Sequence, residues 1–166
     1  MVSNMTRRNF LKSICLVGGL AMTGGVLAAC GGESTPAPSA GGASGQAATL
    51  EISAKGEELL YDKDKLTAPA GSKITLTFKN PSTNLQHNWA LVKPGTEDQV
   101  ANDGLAAGEA NGYLKANDPN VLVATKLVKP GESDTITFDA PAKGSYPYIC
   151  TFPGHHVLMK GTLTIE

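Results

Sequence analysis

The chain has 166 residues with 14 basic and 15 acidic side chains, a formal net charge of −1. Its lysines are scattered and form no basic stripe, so nucleic-acid binding has no electrostatic support. No internal repeat of the length that marks solenoids or propellers is present.

The N-terminus reads Thr6-Arg7-Arg8-Asn9-Phe10-Leu11-Lys12, followed by an apolar run from Ser13 to Ala29. That charged-then-apolar order is an export signal, and the paired arginines point to the Tat route. The run is interrupted by Gly18, Gly19, Gly24 and Gly25 and falls short of the roughly 20 apolar residues a spanning helix needs. It ends Leu27-Ala28-Ala29-Cys30, which resembles the lipobox of bacterial lipoproteins, where the signal is cut before a cysteine that is then lipidated. Residues 1–29 are thus expected to be removed, leaving Cys30 as the lipid-attachment residue. From Gly31 to Ala47 the chain is GGESTPAPSAGGASGQA, with no large apolar residue. Such a stretch cannot offset the entropy of ordering it. Residues 30–47 therefore read as a flexible tether, spanning roughly 20–25 Å as a coil.

Residues 48–166 remain as one domain, long enough to bury its own core. Loss of Arg7, Arg8 and Lys12 with the signal leaves 11 basic against 15 acidic side chains, a net charge of −4. Of three cysteines, one leaves with the signal and one becomes the anchor, so Cys150 stands alone. An exported domain that keeps one thiol points to metal ligation or catalysis.

Along the domain, Thr49–Ser53, Lys73–Phe78 and Ser133–Phe138 alternate apolar with polar residues, and glycines and prolines punctuate them as turns. These are half-buried strands of an all-β, two-sheet sandwich. His87 lies in Asn84-Leu85-Gln86-His87-Asn88-Trp89-Ala90, on or beside another strand, with Trp89 read as core. Thr96–Leu114 breaks the pattern: Val100, Leu105 and Leu114 suggest one short helix, made irregular by Gly104, Gly108 and Gly112. A loop through Asn117-Asp118-Pro119-Asn120 follows.

The chemistry concentrates in Tyr148-Ile149-Cys150-Thr151-Phe152-Pro153-Gly154-His155-His156-Val157-Leu158-Met159. Cys150 ends a strand, Pro153-Gly154 forces a turn and Met159 opens the last strand. One short loop thus presents a thiol, an imidazole and a thioether to the same point. Joined by His87, this is the two-His, one-Cys, one-Met set of a blue-copper site, in which a trigonal His₂Cys plane carries a weak axial Met. Each residue also has a plainer role: Met159 as core, His87 as a satisfied histidine. The coincidence of four ligand types with the strand–turn–strand order outweighs those roles. Spacing alone leaves His155 and His156 both open as the second imidazole.

The C-terminal CTFPGHHVLMKGTLTIE and the upstream HNW resemble the azurins. With the lipobox and tether, the whole is similar to the auracyanins, the azurin-like branch of the cupredoxin family in filamentous green phototrophs. The likeness takes in DGLAAG and ATKLVKPGESDTITFDAP and implies a Greek-key cupredoxin sandwich. It further implies His87, Cys150 and His155 as in-plane ligands of one copper ion, since His155 follows Pro-Gly as in the family, and Met159 as the axial one. His156 is left as a surface neighbour. Asn88 would brace the loop at Thr151, and the Phe152 N–H would donate to the Cys150 sulfur. Two features depart from the family. Gln86 replaces the glycine whose carbonyl approaches copper, and the structural disulfide has no second cysteine.

The implied function is a non-enzymatic, lipid-anchored electron carrier on the outer, periplasmic face of the cytoplasmic membrane, working as a monomer in a photosynthetic or respiratory chain. Its partners would be a quinol-oxidising membrane complex and a cytochrome or reaction centre. They would meet an apolar patch of Phe152, Pro153, Val157 and Leu158 around the His155 ring. A thiol hydrolase would need an oxyanion site and cleft, of which the sequence gives no sign. Multicopper oxidases need more than the three histidines present, and a dinuclear copper centre needs two cysteines in its loop. A copper-storage or copper-delivery lipoprotein is the serious alternative.

Overall fold

The computed structural model describes residues 46–166. The export signal, Cys30 and nearly all of the tether lie outside the described residues.

Alternation of side chains makes the strands, and their buried faces make the core. The first sheet runs in the order β2-β1-β4-β7, from β1 (Ala47–Lys55), β2 (Glu58–Tyr61), β4 (Lys73–Lys79) and β7 (Ser133–Asp139). β1 and β4 pair in parallel and the other neighbours are antiparallel. Ile74, Leu76 and Phe78 of β4 point inward and are fully buried. On the opposite face, hydroxyl pairs Thr75–Thr137 (3.3 Å) and Thr77–Thr135 (3.0 Å) tie β4 to β7. The period of two thus assigns one set of β4 residues to the core and the other to solvent.

The second sheet runs β3-β9-β8-β5-β6, from β3 (Lys65–Ala68), β5 (Ala90–Val92), β6 (Val121–Ala124), β8 (Gly144–Ile149) and β9 (Lys160–Ile165). β3 lies parallel to β9 and the remaining pairs are antiparallel. Between the sheets, Ile52, Leu76, Phe78, Trp89, Leu91, Tyr148 and Leu163 belong to one contiguous core. The fold is therefore the expected all-β two-sheet sandwich, with one α-helix among the described residues. Cys150 is the one free cysteine among the described residues, so packing carries the stability a disulfide would otherwise share. A fully buried side chain of this size contributes about 1.5–3 kcal/mol.

The segment expected as one irregular helix resolves into α1 (Glu97–Ala107) and a single 3₁₀ turn, Glu109–Asn111. α1 buries Val100 and Ala101 against Ala90 and Val92 of β5 and Ile149 of β8, and Gly104 beside Tyr113 and Thr151. Leu105, expected to help define the helix, is 55% exposed. It follows the buried residue Gly104 by one position, and one residue turns the helix by about 100°. Gly104 is small for a reason: a Cβ there would overlap the carbonyl oxygen of Tyr113.

Gly161 faces Tyr148 across the β8–β9 ladder, and a Cβ at this position would overlap the tyrosine ring. That ring packs beside Trp89 and Tyr61 and donates its hydroxyl to the Lys63 carbonyl at 2.8 Å. Gly161→Ala is expected to displace Tyr148 and destabilise the metal-free domain by about 1–3 kcal/mol. Thermal unfolding of the two proteins checks this, and an unchanged midpoint would contradict the packing role.

Candidate metal centre

Two chain segments more than sixty residues apart build the site. The first begins where β4 ends. Asn80 is buried, and its Oδ1 accepts from the Ser82 N–H (3.2 Å) and hydroxyl (2.6 Å). Its Nδ2 donates to the carbonyls of Leu85 (2.8 Å) and Val128 (3.0 Å). This side-chain-to-backbone turn satisfies groups that a loop would otherwise bury unpaired. It delivers His87 to an antiparallel bridge with Val128, where N–H···O contacts of 3.2 and 2.7 Å run in both directions. Asn88 and Trp89 follow and lead into β5.

The second segment is the loop after β8. The Cys150 N–H donates to the Met159 carbonyl at 3.0 Å and closes the loop on itself. Inside it, Gly154 holds φ +80°, a left-handed conformation that favours glycine. A 3₁₀ turn, His155–Val157, comes next. The Met159 N–H returns to the His155 carbonyl at 2.8 Å, and the Met159 side chain is fully buried.

Asn88 joins the two segments. Its Oδ1 accepts from the Thr151 N–H (2.8 Å) and its Nδ2 donates to the Thr151 hydroxyl (2.7 Å) and the Gly112 carbonyl (3.2 Å). The Tyr61 hydroxyl donates to the Asn88 carbonyl at 2.6 Å. Residues on either side of this clasp, His87 and Cys150, are thereby held face to face.

Three potential ligand atoms converge as a result. His87 Nδ1 and His155 Nδ1 are 3.2 Å apart, and Cys150 Sγ lies 3.8 Å from the first and 3.6 Å from the second. A triangle with those sides has a circumradius of about 2.1 Å, which falls within the range of first-row metal bonds to imidazole and thiolate, about 2.0–2.3 Å. The geometry thus fits one metal ion lying near the plane of the three atoms. His87 and Cys150 are fully buried and His155 is 5% exposed. Burial, with a smaller effect from His155, lowers the His87 pKa to about 4, against a weak opposing pull from Glu57. Burial also lowers that of His155. Both rings are therefore neutral near pH 7, the state in which imidazole binds metal. Burial pushes the Cys150 thiol up to about 11, partly countered by the backbone N–H groups of Asn88 and Phe152. A thiolate in such surroundings needs a cation beside it, and a bound metal supplies that charge.

His156 stands apart from the triangle, with its Nε2 3.6 Å from Asp98 Oδ1. It is half-buried at an open cleft of about 550 Å³ formed with Glu97, Pro147 and Lys160. The surface-neighbour expectation is modified to that extent. Gln86 turns its side chain to Glu109, with Nε2 3.3 Å from Oε1. The Phe152 ring lies against His155 (centroids 4.5 Å apart) and Tyr113 (5.1 Å). Val157 and Leu158 are each 58% exposed beside it, and Pro153 is partly exposed. Asn80, Ser82 and Tyr61 have no marked role in the sequence pattern, and Gly112 stands out there only as a helix-disrupting glycine. Asn80-Pro81-Ser82 carries a signal only as a turn-forming cluster.

Comparison with known proteins agrees with this geometry. Residues 48–166 match the family of copper binding proteins described as plastocyanin/azurin. Auracyanin-A of Chloroflexus aurantiacus is 49% identical over 144 residues, covering 85% of this chain and 89% of that protein. Its solved structure, described as a "blue" copper protein, superposes with a TM-score of 0.70 at 48% identity, over 72% of this chain and 99% of that one. Reduced auracyanin from Roseiflexus castenholzii gives a TM-score of 0.69 at 45% identity, over 74% and 99%. Azurin of Bordetella pertussis is 40% identical over 117 residues, 66% of this chain and 78% of that protein. A buried donor triangle of one-metal size, on a sandwich shared with copper proteins over the whole domain, places this chain in the plastocyanin/azurin family of copper-binding proteins.

Proposed function

We propose that this protein is a membrane-tethered blue-copper electron carrier, in which His87, Cys150, His155 and Met159 would hold one copper ion. The observation that carries the reading is the triangle of two neutral imidazoles and one thiol, buried and locked by the Asn88–Thr151 clasp. Copper supplies a one-electron couple, and this ligand set serves both oxidation states. The chain's own contribution is to hold the ligands still. Asn88 fixes the spacing of the two segments, and the N–H groups of Asn88 and Phe152 spread the negative charge of the sulfur. Burial of the ligands suits electron exchange better than metal delivery, which needs accessible ligands.

Cys150→Ser is expected to abolish the intense visible absorption of the oxidised copper protein while the fold persists in circular dichroism, since the Cu(II)–thiolate bond is the source of colour. Met159→Gln should keep the colour and lower the potential, because a harder axial oxygen favours Cu(II). A blue Cys150→Ser protein would remove the ligand assignment. A parent protein that stays colourless and releases Cu(I) readily would instead favour the storage or delivery role.

The leader places this domain outside the cytoplasmic membrane, and Cys30 holds it there through lipid. The match to auracyanin-A covers 85% of the chain, which is more than residues 48–166 and so includes part of the N-terminal segment. One acyl chain gives only marginal binding, so a stable anchor carries two or more. Cys30→Ser should yield a soluble domain that still binds copper. A wild-type mature protein that washes off membranes in high salt without detergent would contradict the anchor.

Electrons pass through the His155 side of the site, to and from partners such as a quinol-oxidising complex and a cytochrome or reaction centre. Phe152, Pro153, Val157 and Leu158 form the contact patch there, and a small apolar interface suits quick docking and release. Val157→Asp should slow reduction by a partner cytochrome in stopped flow with colour and potential nearly unchanged. Equal rates for variant and parent would move the contact to another face.

A further inference from the structure

Glu57 sits in the turn between β1 and β2, beside Gly56 at φ +60°. Its Oε1 accepts from both the backbone N–H and the hydroxyl of Thr83, the latter at 2.9 Å, and these donors, with a smaller effect from the Asn84 N–H, hold its pKa below the usual carboxylate value. Thr83 and Asn84 belong to the loop that delivers His87. That loop is organised from within by Asn80 and Ser82 and gripped from outside by Glu57, which comes from a different pair of strands. Glu57 has no ion-pair partner among the described residues, so its charge is not cancelled by a neighbouring lysine. Thr83 lies four residues before His87, so the carboxylate is held on the loop that carries that ligand. His87 Nε2 is buried and makes no hydrogen bond among the described residues.

We propose that Glu57 is a positioning residue for the copper centre: its carboxylate clamps the Thr83–Asn84 turn ahead of His87 and sets a fixed negative charge near that ligand, favouring Cu(II) over Cu(I). The inference rests on the electron-carrier reading for its redox half, while the clamp half concerns the polypeptide alone. Cu(II) carries one more positive charge than Cu(I), so a nearby anion stabilises the oxidised form. The carboxylate is exposed, and its field acts through water and counterions. Removing the charge should therefore move the redox equilibrium only roughly two- to fivefold.

Two variants separate charge from clamp. Glu57→Gln keeps an oxygen acceptor for Thr83 and loses the charge, whereas Glu57→Ala loses both. Redox titration of the copper-loaded proteins at low salt should shift the Glu57→Gln equilibrium toward Cu(I) by roughly two- to fivefold. The difference should shrink at about 1 M salt, where the Debye length is about 3 Å. In the copper-free proteins, amide exchange at Thr83 and Asn84 should stay near wild type in Glu57→Gln and accelerate in Glu57→Ala. A Glu57→Gln equilibrium equal to wild type at low salt overturns the charge role, and unchanged exchange in Glu57→Ala overturns the clamp. If the parent protein itself shows no blue copper couple, the electron-carrier reading and the charge role fall with it, and amide exchange still decides the clamp.

Discussion

The structure depends on the side chain of Asn88. Two segments 63 residues apart in sequence carry the ligands, and the β5–β8 ladder, which sets Ala90 opposite Ile149, ends before either ligand and does not extend to fix their spacing. Asn88 fixes it by using both ends of its amide on Thr151, one on the backbone and one on the hydroxyl. An aspartate in its place would lose the donor, and a leucine would lose both contacts and leave the buried Thr151 N–H unpaired, at a cost of about 1–3 kcal/mol. Tyr61, on β2 of the opposite sheet, fixes the Asn88 carbonyl. The metal site is thereby tied to both layers of the sandwich, so that movement of one ligand segment relative to the other would have to break buried hydrogen bonds.

That rigidity explains how an unfavourable set of groups can be buried together. Two imidazole nitrogens 3.2 Å apart cannot both present a proton to each other, and a thiol pushed up to about 11 resists ionising. Each group alone would be better solvated. They are assembled because Cys150 sits in the contiguous sandwich core with Trp89, Tyr148 and Leu163, whose burial drives the sheets together. The folding of the sheets, and not attraction among the donors, brings the donors together, and a cation entering the triangle finds its ligands already desolvated and in place.

The strands were legible because their alternation is strict: Lys73–Phe78 and Ser133–Phe138 were read correctly and pair residue for residue, Ile74 with Phe138 and Leu76 with Ile136. The convergence of Cys150 and His155 is legible because they share one short loop. His87 was legible only in company with that loop, and the choice of His155 over His156 needed resemblance, since adjacent histidines point opposite ways only once the Gly154 turn is known. Long-range polar contacts left no such trace. Asn80, Tyr61 and Glu57 are common residue types in unremarkable contexts, and their roles arise from partners 26 to 48 residues away. Leu105 marks the helix but not its buried face, because a helical apolar pattern fixes a face only to within one residue.

The two histidines of the triangle differ in surroundings, and this difference gives the site a direction. His87 is fully buried beneath a loop held by Asn80, Ser82 and Glu57, all polar contacts that keep that side closed. His155 is the ligand that retains some exposure, and it emerges between Phe152 and the exposed Val157 and Leu158. The surface beside His155 is therefore apolar, whereas the loop over His87 is closed by polar contacts and carries the exposed Glu57 carboxylate. A small apolar patch suits brief encounters of modest affinity, so the proposed electron-carrier role predicts exchange on the His155 side.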